Sequence, residues 1–355
     1  MVLRTLNGEP ITYQGELNKH CSARIRVRRL TGMESSQSIA LGDVEIFRVI
    51  EWQDTLMPGP DLLPGTTEQT WRDNADWLAP DHWDLDTGLV VAAIQTWVLR
   101  SGGRTILIDT GVGNGRERPS RAIFHHRQGD FIERLSRAGV RPNDVDLVIN
   151  THLHGDHVGW NTHDVDGRWT PTFPNAQYLI PAADDAYFGP AGGYAGGTRL
   201  DDRLLYEDSI APIHRAGQAV LWEDSYRIDD SLTLESAPGH TPGSSVLHLR
   251  SGADRAVFVG DLVHSPIQLL DPSCDSCLCL DPRQAATTRR RILEQAADQR
   301  ELVIPAHLGG SAAVEIRRAG TNFAFGAWAA AAAEPRLLTS AARPGVDADT
   351  RYENR

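Results

Sequence analysis

The segment His152-Leu153-His154-Gly155-Asp156-His157 packs three imidazoles and a carboxylate into six residues, directly after an apolar run that ends at Ile149. Close imidazoliums repel one another, and a bound cation is what commonly makes such a grouping favourable. With extended backbone, side chains 152 and 154 project to one side and can grip one ion. Asp156 and His157 fall on the following turn and can face a second, with Gly155 and Gly159 permitting the tight backbone. Three more candidates lie downstream: His240 in Ala237-Pro-Gly-His240-Thr-Pro-Gly-Ser244, Asp261 in Phe258-Val-Gly-Asp261, and His307 in Ile304-Pro-Ala-His307. Each follows an apolar run within a few residues, where a rigid scaffold presents ligands. Imidazole and carboxylate donors suit Zn²⁺ best, and also accept Mn²⁺, Fe²⁺ or Co²⁺. Two such ions about 3.5–4 Å apart can share a water, lower its pKa toward about 7 and steady a developing oxyanion. The chemistry that such a set could support is metal-assisted hydrolysis, with no Ser or Cys nucleophile required.

Strands and helices must position these groups. Leu89–Leu99 and Thr105–Ile108 read as a hairpin turning at Ser101-Gly102-Gly103. The loop Asp109-Thr-Gly-Val-Gly-Asn-Gly115 reads as a strand exit, since it lacks the Lys-Ser/Thr of a phosphate-binding loop. Asp130 reads as the N-cap of a helix carrying Phe131, Ile132 and Leu135 and ending near Gly139. Further strands are expected at 44–50, 145–149, 177–180, 232–235, 246–249, 256–259 and 302–304, with helices at 182–188 and 282–297. This mixture predicts α/β layers with polar residues gathered at strand ends. The polar stretch 57–86, holding Trp71, Trp77 and Trp83, is expected to be functional or a lid. Residues 1–40, with Arg24, Arg26, Arg28 and Arg29, read as an N-terminal arm that packs on the body or on a second subunit of a homodimer. Residues 41–326 read as the catalytic domain, and 327–355 as an Ala-rich helix with a polar tail.

The 355 residues carry a formal charge of −12, which argues against a nucleic-acid partner because phosphate recognition needs a basic face. With 41% apolar and 23% charged residues the chain is expected to bury a large core. It shows no run long enough to span a bilayer and no signal-peptide pattern, so the expected location is cytoplasmic, away from membranes. Cys274, Cys277 and Cys279 are too few and too clustered for a disulfide framework, and read as reduced thiols in a loop.

The set H-x-H-x-D-H, G-H-T-P-G-S, G-D and P-A-H, spread over roughly residues 89–309, strongly resembles the metallo-β-lactamase superfamily of dinuclear hydrolases. The resemblance implies a four-layer αβ/βα sandwich with the site at one edge of two packed sheets. By family pattern, His152, His154 and His240 hold the first metal, Asp156, His157 and His307 the second, and Asp261 bridges them. Asp156 would also orient the nucleophile or carry a proton. Asp261 at the bridging place argues against the true β-lactamases, and the full second set against mononuclear persulfide dioxygenases. His154 argues against the flavodiiron branch, which carries Glu there, and no electron-carrier segment is left in the chain. What remains looks like the branch of lactonases, phosphotriesterases and arylesterases, acting on a small-molecule lactone or other ester. A metal-stabilised binding module is the non-enzymatic alternative. Two departures stand out. Trp160 occupies a place where a second glycine is common, and His264 lies three residues after the bridging Asp, where N-acyl homoserine lactonases carry a substrate-binding Tyr. His264 would donate to the substrate carbonyl or leaving alkoxide, or would support Asp261. Trp160, Trp169, Tyr187, Phe188 and Tyr194 would wall an apolar pocket or pack in the core.

Overall fold

The computed structural model describes residues 37–196 and 200–329, and the backbone of residues 3–4, 10–11 and 26–29. The first sheet has eight strands lying in chain order from edge to edge: β1 (Arg26–Arg29), β2 (Gln37–Leu41), β3 (Val44–Pro58), β4 (Leu89–Ser101), β5 (Arg104–Ile108), β6 (Leu147–Ile149), β7 (Gln177–Pro181) and β8 (Ala219–Trp222). Strands β1 to β5 form an antiparallel meander, and β5 to β8 pair in parallel. The second sheet has seven, again in chain order: β9 (Ser225–Arg227), β10 (Leu232–Ser236), β11 (Ser245–Ser251), β12 (Asp254–Gly260), β13 (Leu302–Pro305), β14 (Ala313–Ala319) and β15 (Asn322–Ala329). Only β12 and β13 pair in parallel. Parallel neighbours need crossover connections. Helices α1 (Phe131–Arg137), α2 (Ala182–Phe188) and α3 (Pro282–Gln299) lie in those crossovers.

Side-chain alternation along the strands produces the layers. Ile106 and Ile108 of β5 meet Leu247 and Leu249 of β11 between the sheets, with Trp97, Ile149, Leu234, Phe258 and Ile304. Leu107 faces the other way, joining Phe131 and Leu135 of α1. Val246 and Val257 likewise join Ile292, Leu293 and Ala296 of α3. Helix, sheet, sheet and helix therefore stack as the expected αβ/βα sandwich. Strands covered on both faces read as unbroken apolar runs. Each fully buried Leu, Ile or Val contributes about 1.5–3 kcal/mol.

Four details differ from the sequence reading. Residues 26–29 and 37–41, expected within the arm, add two strands to the first sheet. The helix expected from Ala327 is a strand through Ala329, and the rest of that expectation lies outside the described residues. The stretch 57–86 is not irregular throughout but a packed layer. It holds short helices at Gly59–Leu62, Glu68–Asp73 and Ala75–Leu78. Trp71 and Trp83 are buried there with Leu62, Leu78, Ile267 and Cys274. Asp130 sits at the N-cap of α1 without capping it, because its carboxylate pairs with Arg134 at 2.6 Å and Arg137 at 3.0 Å. Among the described residues no helix is long and apolar enough to cross a membrane.

Candidate metal centre

All the ligand candidates sit just beyond the C-terminal ends of strands: the first cluster after β6, His240 after β10, Asp261 after β12 and His307 after β13. They gather into two groups. His152 Nε2 lies 3.1 Å from His154 Nδ1 and 3.2 Å from His240 Nε2, and His154 Nδ1 is 2.8 Å from His240 Nε2. In the second group His157 Nε2 is 3.1 Å from His307 Nε2, and Asp156 lies 3.8 and 3.6 Å from those two nitrogens. Asp261 stands between the groups. Its Oδ2 is 3.3 Å from His240 and 3.8 Å from His152, while Oδ1 is 2.9 Å from His307 and 3.3 Å from His157.

The electrostatics of the two groups suit a cation. Burial holds His152, His154 and His240 below the usual imidazole range, His154 at about 4, so three neutral lone pairs point at one spot. Burial works the same way on His157 and His307 but is outweighed by the carboxylates around them together, Asp261 and Asp156 for both and Asp109 also for His157, so that His307 is raised to about 9. In the second group positive charge is therefore already favoured. Asp261 Oδ1 is buried and meets no polar group except the His307 and His157 ring nitrogens of the second group, a place where an ion could also be held. Among the described residues these two groups are the clusters whose donor atoms lie within 4.8 Å of one another. The donor set fits two divalent cations.

The outer faces of the ligands show residues that sequence reasoning missed. Asp109 Oδ2 accepts from His157 Nδ1 at 2.8 Å and from the Thr151 hydroxyl at 2.8 Å, and Oδ1 accepts from the Thr151 backbone N–H. The Thr151 hydroxyl in turn lies 3.1 Å from His152 Nδ1, so one carboxylate steadies a histidine of each group. His307 Nδ1 donates to the Ala93 carbonyl at 2.9 Å. Buried Asp184 of α2 accepts from Leu153 N–H, Thr241 hydroxyl and Gly243 N–H, tying the first cluster to the His240 loop. Burial raises that carboxyl to about 6 despite its three donors. An acidic residue at the exit of β5 was the available signal for Asp109; nothing local marks Asp184.

Gly159 is required where it stands, since a Cβ would run into the Val112 carbonyl, whereas Gly155 has room for one. Trp160 is not a pocket wall. Its indole stacks on Phe131 and donates to Glu51 at 2.8 Å, and Glu51 also accepts from the Val112 and Gly113 N–H groups. The glycine-rich loop is thus pinned from behind by a buried carboxylate that the indole helps satisfy. Trp169 lies under the Arg116 guanidinium at 3.8 Å. Of the five aromatics, Phe188 reaches the centre, its ring edge-on to His154 at 5.7 Å. Tyr187 packs on Phe188 and Tyr194 lies beside Tyr206. His264 is buried with Nε2 3.3 Å from Asp261 Oδ2, and its ring lies 5.0 Å from that of His240. Cys274 is buried in the tryptophan layer, but Cys279 Sγ lies 3.7 Å from His240 Nδ1, so the thiol loop touches the centre.

Comparison with known proteins agrees with this geometry. The chain is 28% identical over 128 residues to the N-acyl homoserine lactonase AttM of Rhizobium radiobacter, covering 34% of this chain and 41% of that protein. It is 27% identical over 184 residues to ribonuclease Z of Mycobacterium sp. (strain KMS), covering 49% of this chain and 56% of that one. The matches thus span about half or less of these relatives' lengths. Among solved structures, the dizinc quorum-quenching lactonase AidC, in complex with a product, superposes with a TM-score of 0.64 at 20% identity, over 81% of this chain and 95% of that one. The profile of the metallo-beta-lactamase superfamily matches residues 90–307, and the chain belongs to that superfamily.

Proposed function

We propose that this protein is a dinuclear-metal hydrolase that cleaves a lactone or another carboxylic ester of a small molecule. The observation that carries the reading is Asp261, whose two oxygens face separate ligand groups at 2.9–3.3 Å, with Oδ1 otherwise unsatisfied. His152, His154 and His240 would hold one ion, Asp156, His157 and His307 the other, with Asp261 shared. When bound, the ions supply Lewis acidity and make water a nucleophile at neutral pH. The chain's own groups do the rest. Asp156, its side chain 21% exposed beside nearly buried neighbours, faces the open side of the centre. From there it would orient the attacking water, take up its proton as the new C–O bond forms, and pass that proton to the leaving alkoxide as the ester C–O bond breaks. Asp109 fixes the ring orientation of His157, and Asp184 holds the His240 loop against the first cluster. Of the two roles open to His264, its burial and its place 3.3 Å from Asp261 favour orienting that carboxylate.

The likeness to lactonases supports the ester reading, and the charge of −12 weighs against an RNA substrate such as the name ribonuclease Z implies. The test is proton release, by pH-stat, from Zn- or Mn-loaded protein given short- and long-chain lactones. Release that disappears with Asp156→Asn is the expected result. No release from protein shown to carry two metals would refute the lactone reading and turn the assay to phosphotriesters and aryl esters.

A further inference from the structure

A ligand histidine has two ring nitrogens, and the partner of the outer one sets how basic and how fixed the inner one is. At His157 that partner is the Asp109 carboxylate, at His307 the Ala93 carbonyl, and at His152 the Thr151 hydroxyl backed by Asp109. His240 differs. Its Nδ1 meets the Cys279 thiol at 3.7 Å. Sulfur is a weak acceptor.

The contact is built in. The Leu280 N–H donates to the His240 carbonyl at 3.0 Å and the Asp281 N–H to the Gly239 carbonyl at 2.9 Å, so residues 279–281 run as a strap along the His240 loop. Upstream, the Cys277 N–H donates to the Leu62 carbonyl, and buried Arg289 donates to the Pro272 and Cys274 carbonyls at 2.7 and 2.8 Å. A strap tied at both ends fixes the sulfur in place.

We infer that Cys279 is the positioning residue of His240, and that its thiol makes the His152–His154–His240 position the weaker of the two metal positions. The inference rests on the proposed reading that these groups hold ions. A carboxylate in the same place would anchor His240 as Asp109 anchors His157.

The test is competition of full-length protein against a chromophoric chelator for Zn²⁺, with Co²⁺ spectra recorded alongside. The wild type should load two equivalents in separable steps. Cys279→Asp should tighten the weaker step about tenfold and Cys279→Ala should loosen it several-fold, the size range expected for outer partners of metal ligands. Cys279→Ser should recover part of the loss, and Cys277→Ser should match the wild type. The cobalt bands of the weaker step should shift with Cys279→Asp without any sulfur-to-metal charge-transfer band. Unaltered affinities in both Cys279→Ala and Cys279→Asp, with the metal-free melting curves showing folded protein, would overturn the inference and leave the two-metal reading standing. A charge-transfer band lost in Cys279→Ala would overturn it too, by making the sulfur a ligand. Wild-type protein that takes up no metal would overturn both.

Discussion

Asp109→Asn isolates what the outer carboxylate contributes. The residue sits at φ 55°, in the left-handed region that Asn tolerates better than most residues, so the substitution changes charge and acceptor count with little backbone strain. Asp109 accepts from three donors: His157 Nδ1–H, the Thr151 hydroxyl and the Thr151 backbone N–H. An amide has one acceptor oxygen. If that oxygen faces His157, the NH₂ group opposes the Thr151 N–H; turned over, it opposes His157 itself. A buried polar group left unpaired costs about 1–3 kcal/mol. Loss of an outer partner lowers metal affinity about 10–100-fold, or about 1.4–2.8 kcal/mol. The second position, where Asp109 touches a ligand directly, should lose the most, and the first position less because Thr151 intervenes. Chelator competition reads the two affinities, and melting of metal-free protein reads the structural cost separately. Affinities within threefold of wild type in folded Asp109→Asn protein would refute the argument that Asp109 sets the basicity of His157.

Three further outcomes follow from the same structure. His240→Ala should lower metal content from two equivalents to one by elemental analysis and abolish turnover, whereas Cys274→Ser, whose thiol is buried in the tryptophan layer, should keep both. Trp160→Phe keeps a ring on Phe131 but removes the donor to Glu51; leaving that buried carboxyl oxygen short of a partner costs about 1–3 kcal/mol, which a urea midpoint will show. His248 is buried between Glu235 and Glu301, and although burial opposes its charge these carboxylates raise it to about 9. A raised folded-state pKa gives stability that is complete below the unfolded value of about 6.5 and is lost as pH rises through about 9. Urea unfolding between pH 6 and 10 should therefore decline more steeply for wild type than for His248→Gln, and parallel curves would show that the pair does not matter.

The candidate ligands were legible as a cluster because each belongs to a short polar motif that interrupts or ends an apolar strand. Asp109 was passed over because its role needs β5 and β6 side by side, a pairing visible in the Asp109 N–H to Ile149 carbonyl bond but in no local pattern. Asp184 is harder still: its partners Leu153 and Thr241 lie 31 and 57 residues away. Residues 26–29 show no sustained periodicity within the arm, yet their backbone forms an edge strand of the first sheet. A helix is expected from Ala327, but residues 327–329 continue the strand in which Phe323 and Phe325 alternate, Phe323 being buried in the core under α3. Trp160 stood out as a departure from the family pattern, and its meaning came from Glu51, a residue 109 positions earlier in the chain.

The two sheets contribute to the centre separately: β6 of the first leads into His152 through His157, while β10, β12 and β13 of the second lead to His240, Asp261 and His307. With ions bound, the centre would act as a bolt across two packed plates. Neither plate alone owns a full set of donors, so drawing the plates apart must release the ions, and filling the sites must resist separation. Metal at a thousandfold excess over its dissociation constant adds about 4.1 kcal/mol to the closed form. The thermal midpoint is accordingly expected to climb with free metal concentration, and chelation should loosen the contact between the sheets before it disturbs the hydrogen bonding inside either one.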